Sequence, residues 1–397
     1  MTRRRSCAAL AALGVVAGCG LFGSGRGVLS EPSTLDLSRW TVTRMDVDLV
    51  GSPTRLCPGE RVQLSIVAEL RHRERDKTRT AQTYEGNRPG IGRRGKLGFE
   101  HFSVRSPQGR IGEHGWYTPS PDPFVSVDGF TLEVAHTDDP SINETLDYKP
   151  RYDCARQAGG SGGAGTPGHA GSGGGSGDRG AFGGSSSDGG AGGDGASGGD
   201  GGAGTPGRPG GSITAWATVV RTPHHAHLVL LEFEGDASGR VMFDSHASFV
   251  LAATGGPGGR GGAGGQGGRG GDGGTGQQGG AGGSGGGGGT GGSGGAGGAG
   301  GDIVLTIDER FPELAQVIRI DVSGGHGGAG GPAGTGGLGG SGGRSSAEGA
   351  SDGADGSVGA DGASGANGPT GPSGTAQVVV GDVDPRFEEL PEGISRL

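Results

Sequence analysis

The densest imidazole cluster in this 397-residue chain is His224-His225-Ala226-His227. On a strand, His225 and His227 would face the same way, a spacing that can serve zinc or copper. No Asp, Glu or Cys close by completes a ligand shell, so the two remain weak metal candidates beside the plainer reading of a polar turn entering a strand. Asp244-Ser245-His246 holds an acid, a hydroxyl and an imidazole, but adjacent residues cannot take up a nucleophile, base and orienter geometry. Glycine-rich phosphate or dinucleotide loops match this chain by chance and mean nothing without a following helix and a lysine. No catalytic set emerges, and the reading is of a non-enzymatic protein without a cofactor.

The composition limits what can position any site. With 102 glycines and 30% hydrophobic residues, much of the chain cannot build an ordinary core. The formal net charge is -9, and removing a leader that carries Arg3, Arg4 and Arg5 leaves about -12. That sign, with few aromatics and no basic stripe, argues against nucleic acid as a partner.

The first 18 residues have a basic start, an apolar run from Ala8 to Val16 and small residues before a cysteine, the three-part pattern of an export signal. The segment Val16-Ala17-Gly18-Cys19 resembles the lipobox of bacterial lipoprotein signal peptides, with Val16 where that family prefers Leu. The resemblance implies cleavage before Cys19, acylation of its sulfur and amine, and anchoring of the chain in a membrane by several acyl chains. Gly20, in place of an aspartate, mildly favours the outer membrane. Residues 19–36 then read as the lipidated cysteine and a flexible tether.

From about Trp40 the chain alternates, with Met45, Val47 and Leu49 on one face and Arg44, Asp46 and Asp48 on the other. Val62, Leu64, Ile66, Ala68 and Leu70 repeat the pattern, and residues 97–104, 130–137 and 148–154 are further strand candidates. Turn signals between short strands predict a small antiparallel β-sandwich over 37–157, with an immunoglobulin-like topology as one possibility. Cys57 and Cys154 bracket it and are the cysteines left once the leader and Cys19 are set aside, so a disulfide is the economical reading; metal ligation lacks a Cys-x-x-Cys spacing. Residues 71–96 carry nine Lys or Arg against Glu74, Asp76 and Glu85. A patch for anionic polysaccharide or lipid headgroups and a solvated hairpin loop both fit this run, the loop better.

The rest of the chain is governed by a period of three. From Gly255 every third residue is Gly for sixteen triplets, and the next position is also Gly except at Gln277. A block over 158–211 keeps Gly at every third place except at Ser186, with mixed neighbours, and a block over 324–374 mixes both forms. Collagen needs far more proline than this chain's 21. Polyglycine II, an extended helix with three residues per turn, suits the period: two bare residues in three allow backbone N–H to C=O bonds between neighbouring helices, with the third lining an outward edge. Disorder is the competing reading, because glycine costs the most entropy to order. In repeat type the blocks resemble polyglycine II bundle proteins, including some phage adhesin tips and the glycine-rich region of the anaplastic lymphoma kinase family. Asp188, Asp194 and Asp200, six apart, resemble calcium-binding glycine-rich repeats but lack their regular apolar residue.

Between the blocks, residues 213–221, 227–234, 240–243, 249–253, 303–307, 317–322 and 377–380 read as strands that pair into a sheet or sandwich. Pairing of 249–253 with 303–307 would close the block over 255–301 into an excursion with both ends pinned in one sheet. Asp308-Glu-Arg-Phe-Pro-Glu-Leu314 recurs as Asp384-Pro-Arg-Phe-Glu-Glu-Leu390, each after a strand, with Phe and Leu on one side of a short turn that caps the sheet. The fold class is therefore all-β: a disulfide-closed sandwich, then strand segments at 212–254, 302–323 and 375–397 that frame glycine-rich insertions, polyglycine II-like or disordered. The function expected is that of a membrane-anchored cell-surface lipoprotein with a structural, adhesive or matrix-contact role. Polysaccharide and other surface proteins are candidate partners. The alternative is a carbohydrate- or envelope-binding accessory acting through the first domain.

Overall fold

The computed structural model describes residues 35–83 and 96–397. Cys19 and the lipobox lie outside the described residues, as does part of the basic run over 71–96.

The first domain contains β1 (Trp40–Leu49), β2 (Arg55–Leu56), β3 (Val62–His72), β4 (Thr78–Gln82), β5 (Phe102–Arg105), β6 (Gly109–Ile111), β7 (Trp116–Pro119), β8 (Phe130–His136) and β9 (Asn143–Pro150). One sheet has the order β1-β3-β7-β6 with β4 on the edge of β3, and the other β2-β9-β8-β5. Alternation dictates this: Met45, Val47, Leu49, Leu64, Ile66, Ala68 and Leu70 turn inward onto Phe130, Leu132 and Val134. The Cys57–Cys154 disulfide closes the domain, with the two Cα atoms 6.4 Å apart. The candidate strand at 97–104 is interrupted by a helical turn at Phe99–His101 and is a regular strand from Phe102, and of the candidate at 148–154 residues 148–150 form the end of β9. Residues 78–82, within the run read as a loop, form the strand β4.

The second half is a sandwich of two sheets. One is all parallel, β10 (Gln157–Ser161), β14 (Phe249–Thr254) and β16 (Ile318–Asp321). The other has the order β13-β12-β11-β15-β17, formed by β11 (Ile213–Thr222), β12 (His225–Gly235), β13 (Gly239–Asp244), β15 (Ile303–Asp308) and β17 (Ala376–Gly381), with β18 (Ser395–Arg396) pairing β11. Phe249, Leu251, Ile303, Leu305 and Ile307 fill the space between the sheets, where Phe243 stacks on Phe249 at 4.3 Å. β12 is apolar on successive residues because both of its faces are covered: Val229 and Leu231 face the sandwich core, while Leu228 and Leu230 meet Val127 and Tyr152 of the first domain.

The strands 249–253 and 303–307 do not pair, contrary to the sequence reading. β14 and β15 lie in opposite sheets, because each glycine block is a hairpin whose outgoing arm continues one sheet and whose returning arm continues the other. The arms are six glycine helices: I (162–183), II (189–211), III (255–276), IV (279–301), V (323–345) and VI (352–375). I, III and V prolong β10, β14 and β16 in that order, and II, IV and VI lead back into β11, β15 and β17. The hydrogen-bond rows of the two sheets therefore run on into a two-layer bundle of polyglycine II type.

The duplicated motif caps the sandwich as its Phe–Leu spacing predicts. Phe311 and Leu314 pack on the sandwich core, and Phe387 and Leu390 on the core shared with the first domain. Asp308, 1% exposed, receives Arg310 Nε at 3.0 Å, Arg310 Nη2 at 2.8 Å, Arg396 Nη2 at 3.1 Å and Thr218 Oγ1 at 2.6 Å. Arg396 also pairs with Asp384. Asp308 thereby ties β15, β11 and the chain's last strand together.

Candidate functional site: the glycine-helix bundle

Each residue of a glycine triplet has its own task. In helix III the first glycine donates its N–H along the layer to helix V, as Gly264 does to Pro332 O at 2.9 Å. The second donates across the layers to helix II, as Gly265 does to Gly199 O at 2.8 Å. The third residue accepts a bond from helix I, as Ala263 O does from Gly171 N–H at 2.7 Å, and turns its side chain to the outside. A Cβ in either glycine position would strike backbone: at Gly264 it would lie 2.1 Å from Gly289 O, and at Gly265 1.9 Å from Ser172 O.

The number of glycines per triplet follows from which helices crowd each position. Helices III and IV are enclosed, by I, II, IV and V and by II, III, V and VI, and they are strictly Gly-Gly-X between their turns. Helices I and VI stand at the two ends of the layers and keep one glycine per triplet. Helix II is intermediate: a Cβ on Gly193 would come no closer than 3.1 Å to Asp178 N, and the equivalent places hold Ala196, Thr205 and Arg208.

The third-position N–H groups have no backbone partner in this scheme, and this explains the six-residue spacing of aspartates. Asp188 Oδ1 accepts the N–H of Gln278 at 3.1 Å, Asp194 that of Ser284 at 2.7 Å and Asp200 that of Thr290 at 2.8 Å. The Thr290 hydroxyl and N–H hold Asp200 below the usual carboxylate range. On the far edge Asp355, Asp361 and Asn367, again six apart, accept the outward N–H groups of Gly342, Gly336 and Gly330. These side-chain oxygens bridge helices, a task that the likeness to calcium repeats did not foresee. Six residues are two turns, so such a series returns to one side of the helix.

The two outer faces differ in chemistry. On the face of helices II, IV and VI the outward residues are Ala, Ser, Thr, Gly and Pro, apart from Asp194 and Asp200, while Asp355, Val358, Asp361 and Asn367 line the far edge of helix VI. On the face of I, III and V stand Arg179, Arg260, Arg269, Arg344, Phe182 and Leu338. Phe182 is 77% and Leu338 65% exposed, on backbone held by bonds of 2.7–2.9 Å from its neighbours. Arg269 pairs with Asp272 at 3.1 Å. The face thus combines four arginines and two exposed apolar side chains with Asp272 and small polar residues.

The histidines of the sequence reading lie elsewhere. His225 opens β12, its ring edge-on to Tyr152 at 5.2 Å with Nδ1 buried and unpartnered, and His227 is exposed. Burial, then Arg55 and His224, hold the His225 pKa below its ordinary value. Among the described residues the clustered potential ligands are Cys57, Asp153 and Cys154, whose two sulfurs are bonded to each other. His225 also borders a cleft of about 620 Å³ between the domains, lined by Arg55, Glu60, Arg151, Asp153 and Asp244. No described helix is long and apolar enough to cross a membrane. Comparison with protein-family models, with curated proteins and with solved structures finds no match to this chain.

Proposed function

We propose that this protein is a non-enzymatic, lipid-anchored surface lipoprotein whose glycine-helix bundle is a contact module with a structural or adhesive role. The observation that carries the reading is the segregation of long side chains onto the face of helices I, III and V. The other face is as regular and as exposed, so packing alone gives no reason for the difference. The proposed anchor is Cys19, with the outer membrane or cell surface as the site of display. A direct test is adhesion of cells that carry the chain. Alanine at Arg179, Phe182, Arg269 and Arg344 together should abolish the gain in attachment, whereas alanine at Asp194 and Asp200 should leave it intact; equal attachment by both variants would sink the reading. Mass spectrometry showing an unmodified residue 19 would remove the anchor. A second reading, envelope or carbohydrate binding through the first domain, draws support from the polar cleft beside Arg55 and Arg151.

A further inference from the structure

We infer that the contact face takes an acidic polysaccharide, held at its distal end by Arg179, Arg269 and Arg344 with Phe182 and Leu338 at the flanks. The inference rests on the contact reading and names the chemistry of the partner. Hydrogen bonds fix the register of this end. Gly177 N–H to Arg269 O and Gly270 N–H to Leu338 O place residues 176, 269 and 338 in one row. Gly180 to Asp272 and Gly273 to Ser341 place 179, 272 and 341 in the next. Gly183 to Thr275 and Gly276 to Arg344 place 182, 275 and 344 in the last. Three arginines thus fall in three adjacent rows, with Asp272 as the sole acid, and Asp272 is already engaged by Arg269 Nη2 and by the Ser341 N–H at 2.9 Å.

The spacing selects the class of polyanion. Successive rows lie about 9 Å apart along a three-residue helix, and neighbouring helices about 5 Å apart across the layer. The three arginine positions are therefore roughly 10, 14 and 19 Å from one another, far sparser than the charges of a nucleic acid at about one per 1.7 Å of duplex. A polymer with a carboxylate at intervals of this order can give each arginine a paired, two-point contact. An extended chain can lie across a face whose hydrogen-bonded rows run side by side. Phe182 and Leu338 offer flat apolar surface for the C–H faces of sugar rings. With a net charge of -9 the chain has no general attraction for a polyanion, so binding here depends on the local cluster of arginines.

The test uses the full chain against immobilised polygalacturonate, neutral dextran, single-stranded DNA and anionic phospholipid vesicles at low salt. Saturable binding to polygalacturonate that weakens as salt is raised, with none to dextran, is expected. The double variant Arg179→Ala/Arg344→Ala should weaken it by about tenfold or more, and Phe182→Ala by several-fold, since each guanidinium contact to a carboxylate is a charged hydrogen bond. Asp194→Ala/Asp200→Ala on the opposite face should bind as the parent does. Unchanged circular dichroism of the arginine variant shows that the bundle is intact. Equal binding to dextran, tighter binding to DNA or to vesicles, or full affinity in the double variant would each overturn the inference. If polygalacturonate is ignored while the quadruple face variant still abolishes cell attachment, the ligand class is wrong and the contact reading stands.

Discussion

Single glycine-to-alanine substitutions separate the enclosed positions of the bundle from its outer faces. At Gly265 an added Cβ would sit 1.9 Å from Ser172 O and 2.6 Å from the carbonyl carbon behind it. Helices I and III must then part by about an ångström, and such a gap forfeits about a quarter to a half of the local packing attraction. The bonds that join helices I and III on either side, Gly171 N–H to Ala263 O and Gly174 N–H to Gln266 O, each 2.7 Å long, are stretched with it. Leaving one or two buried backbone groups unpaired costs about 1–3 kcal/mol each, against about 0.4–1 kcal/mol gained from the stiffer unfolded chain. Gly265→Ala should therefore lose roughly 1–5 kcal/mol. Gly287 occupies an outward position of helix IV, and its nearest atoms to a Cβ, Ala360 O and Ser197 Oγ, are 3.7 Å away. There the same substitution should be neutral or stabilise by up to about 1 kcal/mol. Gly193, with 3.1 Å to Asp178 N, should fall between them. Denaturant unfolding followed by circular dichroism ranks the three variants in the order Gly287→Ala, Gly193→Ala, Gly265→Ala, most stable first. Equal stability of Gly265→Ala and Gly287→Ala would refute the packing argument.

Amide exchange should show the three-residue period directly, with both glycines of each helix III triplet protected and the outward residue fast; Asp194→Ala should unprotect Ser284 alone, and loss across the whole helix would contradict the bridging role. The Asp308 carboxyl gives a pH signature. Burial pushes its pKa up, but hydrogen bonds from Arg310, Thr218 and Arg396 outweigh this and hold it well below the usual carboxylate range. Its contribution to stability is therefore present above the unfolded value of about 4 and is lost as pH falls below it. Asp308→Asn should lower the midpoint of unfolding at pH 7 and flatten its decline on the acid side of pH 4; an unaltered pH profile would count against the cluster. Reducing the Cys57–Cys154 bridge, which spans 97 positions, should cost the first domain about 2–5 kcal/mol, visible as a separate early transition in calorimetry.

Much of the architecture is written locally and much of its wiring is not. Met45, Val47 and Leu49 alternate in the sequence and are buried together, because a period of two needs no distant partner to be recognised. The paired cysteines and the Phe–Leu spacing of the duplicated motif are legible for the same reason. The partner of β14 is not, since a parallel strand is matched across a crossover of many residues and β14 joins β10, some ninety positions away, rather than β15. The six-residue aspartate series looks like ligand spacing until the N–H groups of Gln278, Ser284 and Thr290 are seen to need an acceptor from another helix. The face with long side chains escaped notice because its arginines are scattered over three blocks, Arg179 in the first, Arg260 and Arg269 in the second and Arg344 in the third.

Glycine content here records neighbours in space rather than flexibility along the chain. A glycine run in isolation gains nothing from order, and the large entropy cost of fixing each residue would leave it unfolded. In this chain the apolar sandwich of Phe249, Leu251, Leu305 and Ile307 fixes where each arm starts or ends, and at what distance from its neighbours. Once two arms leave a sheet in parallel register, the next N–H already faces a carbonyl, so each triplet extends a row begun by the strands. Side chains are then admissible only where a helix has no neighbour, and those are the places from which they can meet another molecule. A damaged sandwich core should for that reason unravel the bundle: in Leu305→Ala, amide protection in helices III and IV should fall together with that of β15. Persistence of the glycine-helix protection in that variant would show that the bundle stands without its frame.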